Sequence, residues 1–315
     1  MPEKALRISR ASGPGRRVRP VMLAIAGDSA AGKTTVAAGL VATLGPDRCA
    51  FLSTDDYHRY ERADRAGLPF TPLHPDYNYM EIMEQHLQLL ASGQPILKPV
   101  YDHRSGRLTR PELVEPREFV IVDGLLPLHS KLARACFDVT VYLDPPEEVR
   151  REWKIRRDTA SRGYGAGQVL AELERREGES AAYIRPQRAY ADVVVRFAPI
   201  PSRTDPPATP LSAEVLLRPT IPQPDLGSVL HPGLSQVMHL RLARDTDGRP
   251  VDSLHVHGYV PPEDSVAAVK AIWTGFVDAA TGVPECLGQV EPGVHSAPLA
   301  VTQALLLHHL LEGAR

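Results

Sequence analysis

The sequence predicts an α/β protein in which a parallel sheet is flanked by helices and is followed by a C-terminal α+β extension. Three observations point there. An apolar run, Val21-Met22-Leu23-Ala24-Ile25-Ala26, passes into a glycine-bounded loop and then into helix-compatible sequence. Further short apolar runs recur downstream with helical patterns between them, as parallel strands joined by crossover helices require. A proline-rich stretch between Pro199 and Pro224 then shifts the composition.

The chain has 315 residues, 43% of them apolar, enough for one large domain or a core with an appendage. A formal charge of −2 gives no general attraction to nucleic acid or to an anionic membrane. Cys49, Cys136 and Cys286 stand far apart without metal-ligand spacing, as expected of thiols in a reducing compartment. The first twenty residues are basic and turn-rich, without a secretory pattern, and no segment is apolar enough to span a membrane, so a cytoplasmic location is expected. The composition divides the chain into a flexible basic tail (1–20, with Arg7, Arg10, Arg16, Arg17 and Arg19), a core with a lid (21–200), a proline-rich connection (201–225) and the extension (226–315).

The first apolar run opens into Gly27-Asp28-Ser29-Ala30-Ala31-Gly32-Lys33-Thr34, followed by Thr35. Glycines at both ends and Lys-Thr at the close fit the phosphate-binding P-loop, so the predicted sheet is of the P-loop NTPase type. Backbone N–H groups of this loop and of the helix N-terminus would surround the phosphates of ATP. Lys33 adds a charge beside the transferring phosphate, and the Thr34 hydroxyl is placed for Mg2+. The helix pattern runs from Thr34 to Leu44 and stops at Gly45-Pro46.

A second strand, Cys49–Ser53, delivers Thr54-Asp55-Asp56-Tyr57-His58-Arg59 at its C-terminal end, where open parallel sheets gather ligands. Residues 78–91 carry apolar side chains at helical spacing. Pro99 to Leu108 reads as a hairpin turning near Ser105-Gly106, with Tyr101 and His103 among its polar groups. Phe119–Gly124 is an apolar strand whose Asp123 is a candidate metal-side acid; an aspartate that merely ends the strand is the alternative. Residues 137–143 supply another strand. A helix from Pro146 places Lys154, Arg157 and Asp158 on one face, Gly163, Gly165 and Gly167 mark a hinge, and a lid helix covers 169–176. Val193–Val195 is expected to complete the core sheet.

Beyond the proline-rich stretch, which holds one candidate strand at 213–217, residues 237–242 and 254–260 read as strands, and 266–279 and 297–311 as helices. His255 and His257 stand two apart on a strand without a third metal ligand, so a packed or solvated strand face is expected.

A P-loop needs an acceptor to make a kinase. Asp55 is the preferred base for an attacking hydroxyl, with Asp56 the competing assignment. Around it, His58, Arg59, Arg62, Arg65, Lys154, Arg157, Arg162 and Arg176 are more cations than the donor phosphates need. Guanidinium forks suit a second phosphate ester.

These residues resemble the phosphoribulokinase/uridine kinase family of P-loop kinases, and within it the plant and cyanobacterial phosphoribulokinase form. The resemblance rests on the P-loop, Asp55-Asp56-Tyr57-His58-Arg59 with Arg62, Lys98-Pro99-Val100-Tyr101-Asp102-His103, Asp123-Gly124-Leu125, Trp153 to Asp158, and Arg162-Gly163-Tyr164. More loosely, it extends to Asp247-Gly248 and the final helix. It implies ATP-dependent phosphorylation of a small sugar phosphate, ribulose 5-phosphate at its C1 hydroxyl, by a homodimer using Mg2+. Carried over by position, Asp55 is the base, with Lys33, Arg157 and Asp158 also catalytic. His58, Arg59, Arg62, Tyr101, His103, Lys154, Arg162 and Arg176 fall on the substrate side, and Thr34 and Asp123 on the metal. Asp123 stands where the family usually has Glu, Leu126 where many members have His, and Ala31 and Ser53 where plant enzymes keep regulatory cysteines, so that thiol switch is expected to be absent. A nucleoside kinase and a non-catalytic ATP-binding regulator are the alternatives.

Overall fold

A computed structural model of the protein describes residues 19–65, 67–206 and 209–314, with residues 161 and 162 described by their backbone alone. Most of the expected basic tail, residues 1–18, lies outside the described residues; Arg19 pairs with Asp138 at 3.1 Å.

The elements run β1 (Val21–Gly27), α1 (Lys33–Leu44), β2 (Cys49–Ser53), α2 (Met80–Ala91), β3 (Ile96–Asp102), β4 (Arg107–Val114), β5 (Phe119–Gly124), α3 (Lys131–Arg134), β6 (Val139–Leu143), α4 (Glu147–Arg162), α5 (Ala166–Glu179), β7 (Val193–Ala198), β8 (Ser212–Leu217), β9 (Met238–Arg244), β10 (Pro250–Val256), α6 (Pro262–Ile272), β11 (Gln289–Glu291), β12 (Val294–His295) and α7 (Ala297–Gly313). Eight strands form one sheet in the order β2-β5-β1-β6-β7-β8-β10-β9. Pairing is parallel from β2 to β7 and antiparallel from there to β9.

β1, β5 and β6 are buried along their whole length, which is why they read as continuous apolar runs rather than alternating ones. α1 and the C-terminal helices share one apolar cluster with the inner strands, and α2 packs a second cluster on the opposite face. β3 and β4 pair as the expected hairpin outside the sheet.

The expectation that Val193–Val195 completes the sheet is corrected. β7 is an interior strand, because β8 pairs antiparallel along its length, Val193 opposite Leu217 through Ala198 opposite Ser212. The proline-rich stretch therefore carries a strand of the main sheet, and the regions before and after it share one core. The expected strand through residue 260 stops at Val256, and a Cβ on nearby Gly258 would lie 2.1 Å from the Pro210 carbonyl. The helix expected from 266 begins at Pro262 and passes into a π turn over Trp273–Val277.

Two ties join the late elements to the early ones. α7 is apolar on nearly every side, and its one buried amide, Gln303, donates to the carbonyls of Thr35 and Val36 in α1 at 3.2 and 3.3 Å while accepting from the Gly288 N–H at 2.7 Å. A side chain on Gly39 would collide with that amide, its Cβ falling 2.1 Å away. Elsewhere, Asp245 after β9 receives Arg218 at 2.5 Å and Arg188 at 2.8 Å, and Arg188 also pairs with Asp144 after β6 at 2.8 Å. Burial pushes the Asp245 carboxyl up, but hydrogen bonds from Arg218, the Thr246 N–H and Arg188 outweigh it and hold its pKa down at about 2.

Candidate active site

The C-terminal ends of β1, β2 and β5 meet at one place, where glycine lets them approach. Gly27 at the end of β1 has φ 148°, and a Cβ there would fall 2.7 Å from the Leu143 carbonyl. Gly124 at the end of β5 has φ 156°, and a Cβ there would meet the Thr54 hydroxyl at 1.7 Å; that hydroxyl accepts from the Leu125 N–H. No other residue type fits either position.

Along the loop, Ala30 takes φ 63° and Gly32 φ 93°, and Gly32 caps α1. Lys33 Nζ donates to the carbonyls of Gly27 and Asp28, both at 2.9 Å. Burial lowers the Lys33 pKa against the pull of Asp123, Asp55 and Asp28. Thr34 Oγ1 donates to Asp123 Oδ2 at 3.0 Å, so two hard oxygen donors stand together beside the loop. Burial raises the Asp123 pKa, and Asp55 adds to the rise while Lys33 opposes it.

Asp55 lies in a tight turn, Thr54–Tyr57, directly after β2. Burial pushes its carboxyl up, but His58, Lys33, His103 and Arg176 together hold it below the usual carboxylate range, so it is ionised at neutral pH. His103 Nε2 stands 4.0 Å from its Oδ2. Its neighbour Asp56 faces elsewhere: it pairs with buried Lys98 and accepts from the Tyr101 N–H at 3.0 Å, anchoring β3. The two aspartates therefore divide between the site and its support.

The substrate-side residues separate in the same way. His58 is buried, 2.8 Å from Asn78 Oδ1 through Nδ1, with its ring edge-on to Tyr77 and Tyr101. Tyr101 is buried and receives the Arg65 guanidinium at 2.7 Å. Lys154 and Arg157 are both held by Asp158, at 2.9 and 2.8 Å, and Asp158 is itself only 1% exposed, so it orients the two cations from beneath. Arg176, on α5, the helix expected to form the lid, pairs with Glu172.

Arg59 and Arg62 are engaged elsewhere. Arg59 donates to the Asn78 carbonyl at 2.8 Å and reaches Glu81, and exposed Arg62 donates to the carbonyls of His103 and Arg104 at the hairpin turn. The Arg162 side chain lies outside the described residues. Arg65, which the sequence groups with the other cations without a contact of its own, stacks over Tyr77 and Tyr101. Its Nε, like that of Arg176, is buried without a hydrogen-bond partner. No spacing signal separates Arg65 from Arg62, since both sit on one short turn (Arg62–Arg65).

Among the described residues no group of three or more His, Cys, Asp or Glu side chains converges as a metal cage. His255 stacks on His239 across β9 and β10, and His257 Nε2 lies 3.2 Å from His239 Nδ1, which makes this a packed strand face. Leu126 packs in the apolar cluster around α2.

The family description "Phosphoribulokinase / Uridine kinase family" matches residues 22–202, so the match stops short of the looser resemblance to Asp247-Gly248 and the final helix. The phosphoribulokinase of Synechocystis is 41% identical over 181 residues, 58% of this chain and 54% of that one. The chloroplastic phosphoribulokinase of Arabidopsis thaliana is 33% identical over 196 residues, 57% and 50% of the two chains. A uridine kinase of Chloroflexus aurantiacus is 30% identical over 183 residues, 56% of this chain and 86% of that one. The chain spans about half the length of the curated phosphoribulokinases it matches. The solved phosphoribulokinase from Rhodobacter spheroides shares the fold, with a TM-score of 0.59 at 19% identity over 83% of this chain and 97% of that one. With more than half of its length matched, the chain belongs to the phosphoribulokinase/uridine kinase family.

Proposed function

We propose that the protein transfers the γ-phosphoryl group of ATP to the C1 hydroxyl of ribulose 5-phosphate, giving ribulose 1,5-bisphosphate and ADP. The observation that carries this reading is a linked group of cations near Asp55: Arg176 acts on the Asp55 carboxylate, Arg65 acts on Arg176 and on His58, and Lys154 feels Arg176. Arg65, Lys154 and Arg176 supply more positive charge than a neutral nucleoside would satisfy, while burial lowers the pKa of His58 and leaves it a hydrogen-bonding group beside them. Similarity to plant and cyanobacterial phosphoribulokinases supports the same choice over a nucleoside kinase.

In this reading Asp55 accepts the proton of the attacking hydroxyl, and its depressed pKa keeps it ready to do so. Lys33 and Arg157 neutralise charge on the transferred group, while Asp158 aims Arg157 and Lys154. Tyr101 and His103 border the acceptor, and Arg59 fixes the segment that carries His58 while Arg62 fixes the hairpin turn that carries His103, rather than gripping the ester. Residues 27–35 form the nucleotide cradle, with Asp28 to Ala31 supplying loop backbone and Thr35 the start of α1. Thr34 and Asp123 suit Mg2+, which is held by one or two protein oxygens together with substrate phosphates. Bound there, the ion would supply charge neutralisation for the nucleotide phosphates. The lid from residue 162 to Arg176 excludes water that would otherwise hydrolyse the nucleotide. A homodimer and a cytoplasmic location complete the proposal; among the described residues no helix is long and apolar enough to cross a membrane.

The test is ADP release with ribulose 5-phosphate, other sugar phosphates and uridine as acceptors, with the product identified by mass spectrometry. Turnover of ribulose 5-phosphate to a bisphosphate is expected. Turnover with uridine alone would remove the assignment.

A further inference from the structure

At its C-terminal end the lid helix α5 passes directly into a π-helical turn, Ser180–Ile184. Such wide turns cost regular hydrogen bonding and recur where a helix does local work. Here two consecutive side chains at the junction reach in different directions. Ser180, 2% exposed, donates its hydroxyl to Asp28 Oδ2 in the P-loop. Glu179 receives Thr71 of the acceptor-side loop twice, from its N–H at 2.9 Å and from its hydroxyl.

Both contacts continue into fixed structure. On the donor side the other Asp28 oxygen accepts from the Ser29 N–H at 2.6 Å and faces Arg150 at 3.6 Å, and Arg150 is held by Glu147. On the acceptor side Thr71 is buried, and its carbonyl receives the His74 N–H at 3.0 Å. The Asn78 amide then donates to the carbonyls of Pro72 and His74, at 3.2 and 2.9 Å, while its oxygen stands 2.8 Å from His58. A second strut, Tyr183 to His74 at 2.9 Å, ties the π turn to the same loop. A chain of hydrogen bonds, joined through the Glu179–Ser180 peptide link, thus runs from the nucleotide loop to the histidine beside Asp55, with the Tyr183–His74 strut beside it.

We propose that Glu179 and Ser180 are positioning residues that couple the two substrate sites, so that a nucleotide on the P-loop tightens binding of the phosphorylated acceptor and the reverse. The physical cause is shared ordering. A triphosphate orders residues 27–34 and with them Asp28; Ser180 then holds the root of α5 in place. The acceptor loop, pinned to the adjacent residue, has less freedom left to lose when its own ligand arrives. Arg176, one turn earlier on α5, is brought to the acceptor by the same anchoring.

This inference rests on the kinase reading above, and the experiment keeps the two separate. The acceptor used is whichever compound the turnover panel shows to be phosphorylated. Failure of the ribulose 5-phosphate assignment is therefore visible before coupling is measured. The dissociation constant of a non-hydrolysable ATP analogue is measured by calorimetry with and without saturating acceptor, in the intact protein and in Ser180→Ala, Thr71→Val and Ser180→Thr. The wild-type ratio is expected to be at least about fivefold. In Ser180→Ala and Thr71→Val it should fall below about twofold while each ligand's separate affinity stays within about threefold; Ser180→Thr, which keeps the hydroxyl, should restore it. If Ser180→Ala folds poorly, Glu179→Gln reads the same ratio. A wild-type ratio near one, or an unchanged ratio in both Ser180→Ala and Thr71→Val, would overturn the proposal, because a purely structural role moves the unfolding temperature and leaves the ratio alone.

Discussion

The two ends of the eight-stranded sheet treat charge in opposite ways. At the parallel end, β1, β2 and β5 finish in a loop, a turn and a strand-end acid whose charged groups, Lys33, Asp55 and Asp123, are desolvated by burial and act on one another. At the antiparallel end the charges cancel among themselves: Arg218, Asp245, Arg188 and Asp144 close into a chain between strand ends. The comparison teaches that polar side chains at strand ends serve two purposes in one sheet. Where a carboxylate is saturated by the protein's own arginines it fastens strands; where it faces cations poised for something else it marks the site.

Substitutions at each end should separate those purposes. Asp55→Asn is expected to lower kcat by about 10²–10⁴-fold, the usual contribution of a positioned base. Its unfolding midpoint should move far less than its activity, measured by denaturant titration alongside steady-state kinetics. Comparable losses of stability and activity would blur the distinction between the two ends.

Asp245→Asn should do the reverse. Removing one partner of a buried ion cluster leaves arginines uncompensated, at a cost of about 3–5 kcal/mol in urea unfolding, with kcat of the folded protein within about twofold of wild type. Acid probes the same carboxylate. Its folded pKa of about 2 lies below the ordinary value near 3.9, so its contribution is fully present above about pH 4 and is lost as pH falls through about 2.

The smallest effect sharpens the comparison at milder pH. His309 in α7 is buried, and burial, with His308 adding to it, lowers its pKa to about 4. Below about pH 6.5 the unfolded chain takes up a proton that the folded one refuses, so stability declines from there towards pH 4, by about 3 kcal/mol. His309→Leu should flatten that limb of the stability profile and leave the limb below pH 4, where Asp245 titrates, in place. A profile unchanged by the substitution would assign the mild-acid limb to other groups.

Much of the parallel end is legible in the sequence because its signals are local. The P-loop spacing, the fully apolar β1 and β5, and an aspartate just past β2 each declare themselves within a few residues. The antiparallel end is harder to read, since β8 is short and lies among prolines, and nothing local says that it will pair with β7. The arginines illustrate the same limit. Arg62 and Arg65 sit three apart on one turn, and only tertiary partners, hairpin carbonyls for the first and Tyr101 for the second, decide where each guanidinium goes. Glu179, Ser180 and Gln303 carry no motif at all; each matters through a partner at least a hundred residues away.

The grip of Gln303 on the first helix has a consequence for biogenesis. The bond from Gln303 to Thr35 spans 268 residues, so on the ribosome the phosphate loop emerges long before the helix that braces it has been translated. Until then the side of α1 that packs on α7 would stay exposed to solvent, and non-local closure of this kind is slow. A nascent chain stalled at the end of the family-matched segment would therefore lack the amide brace on the helix that follows the phosphate loop.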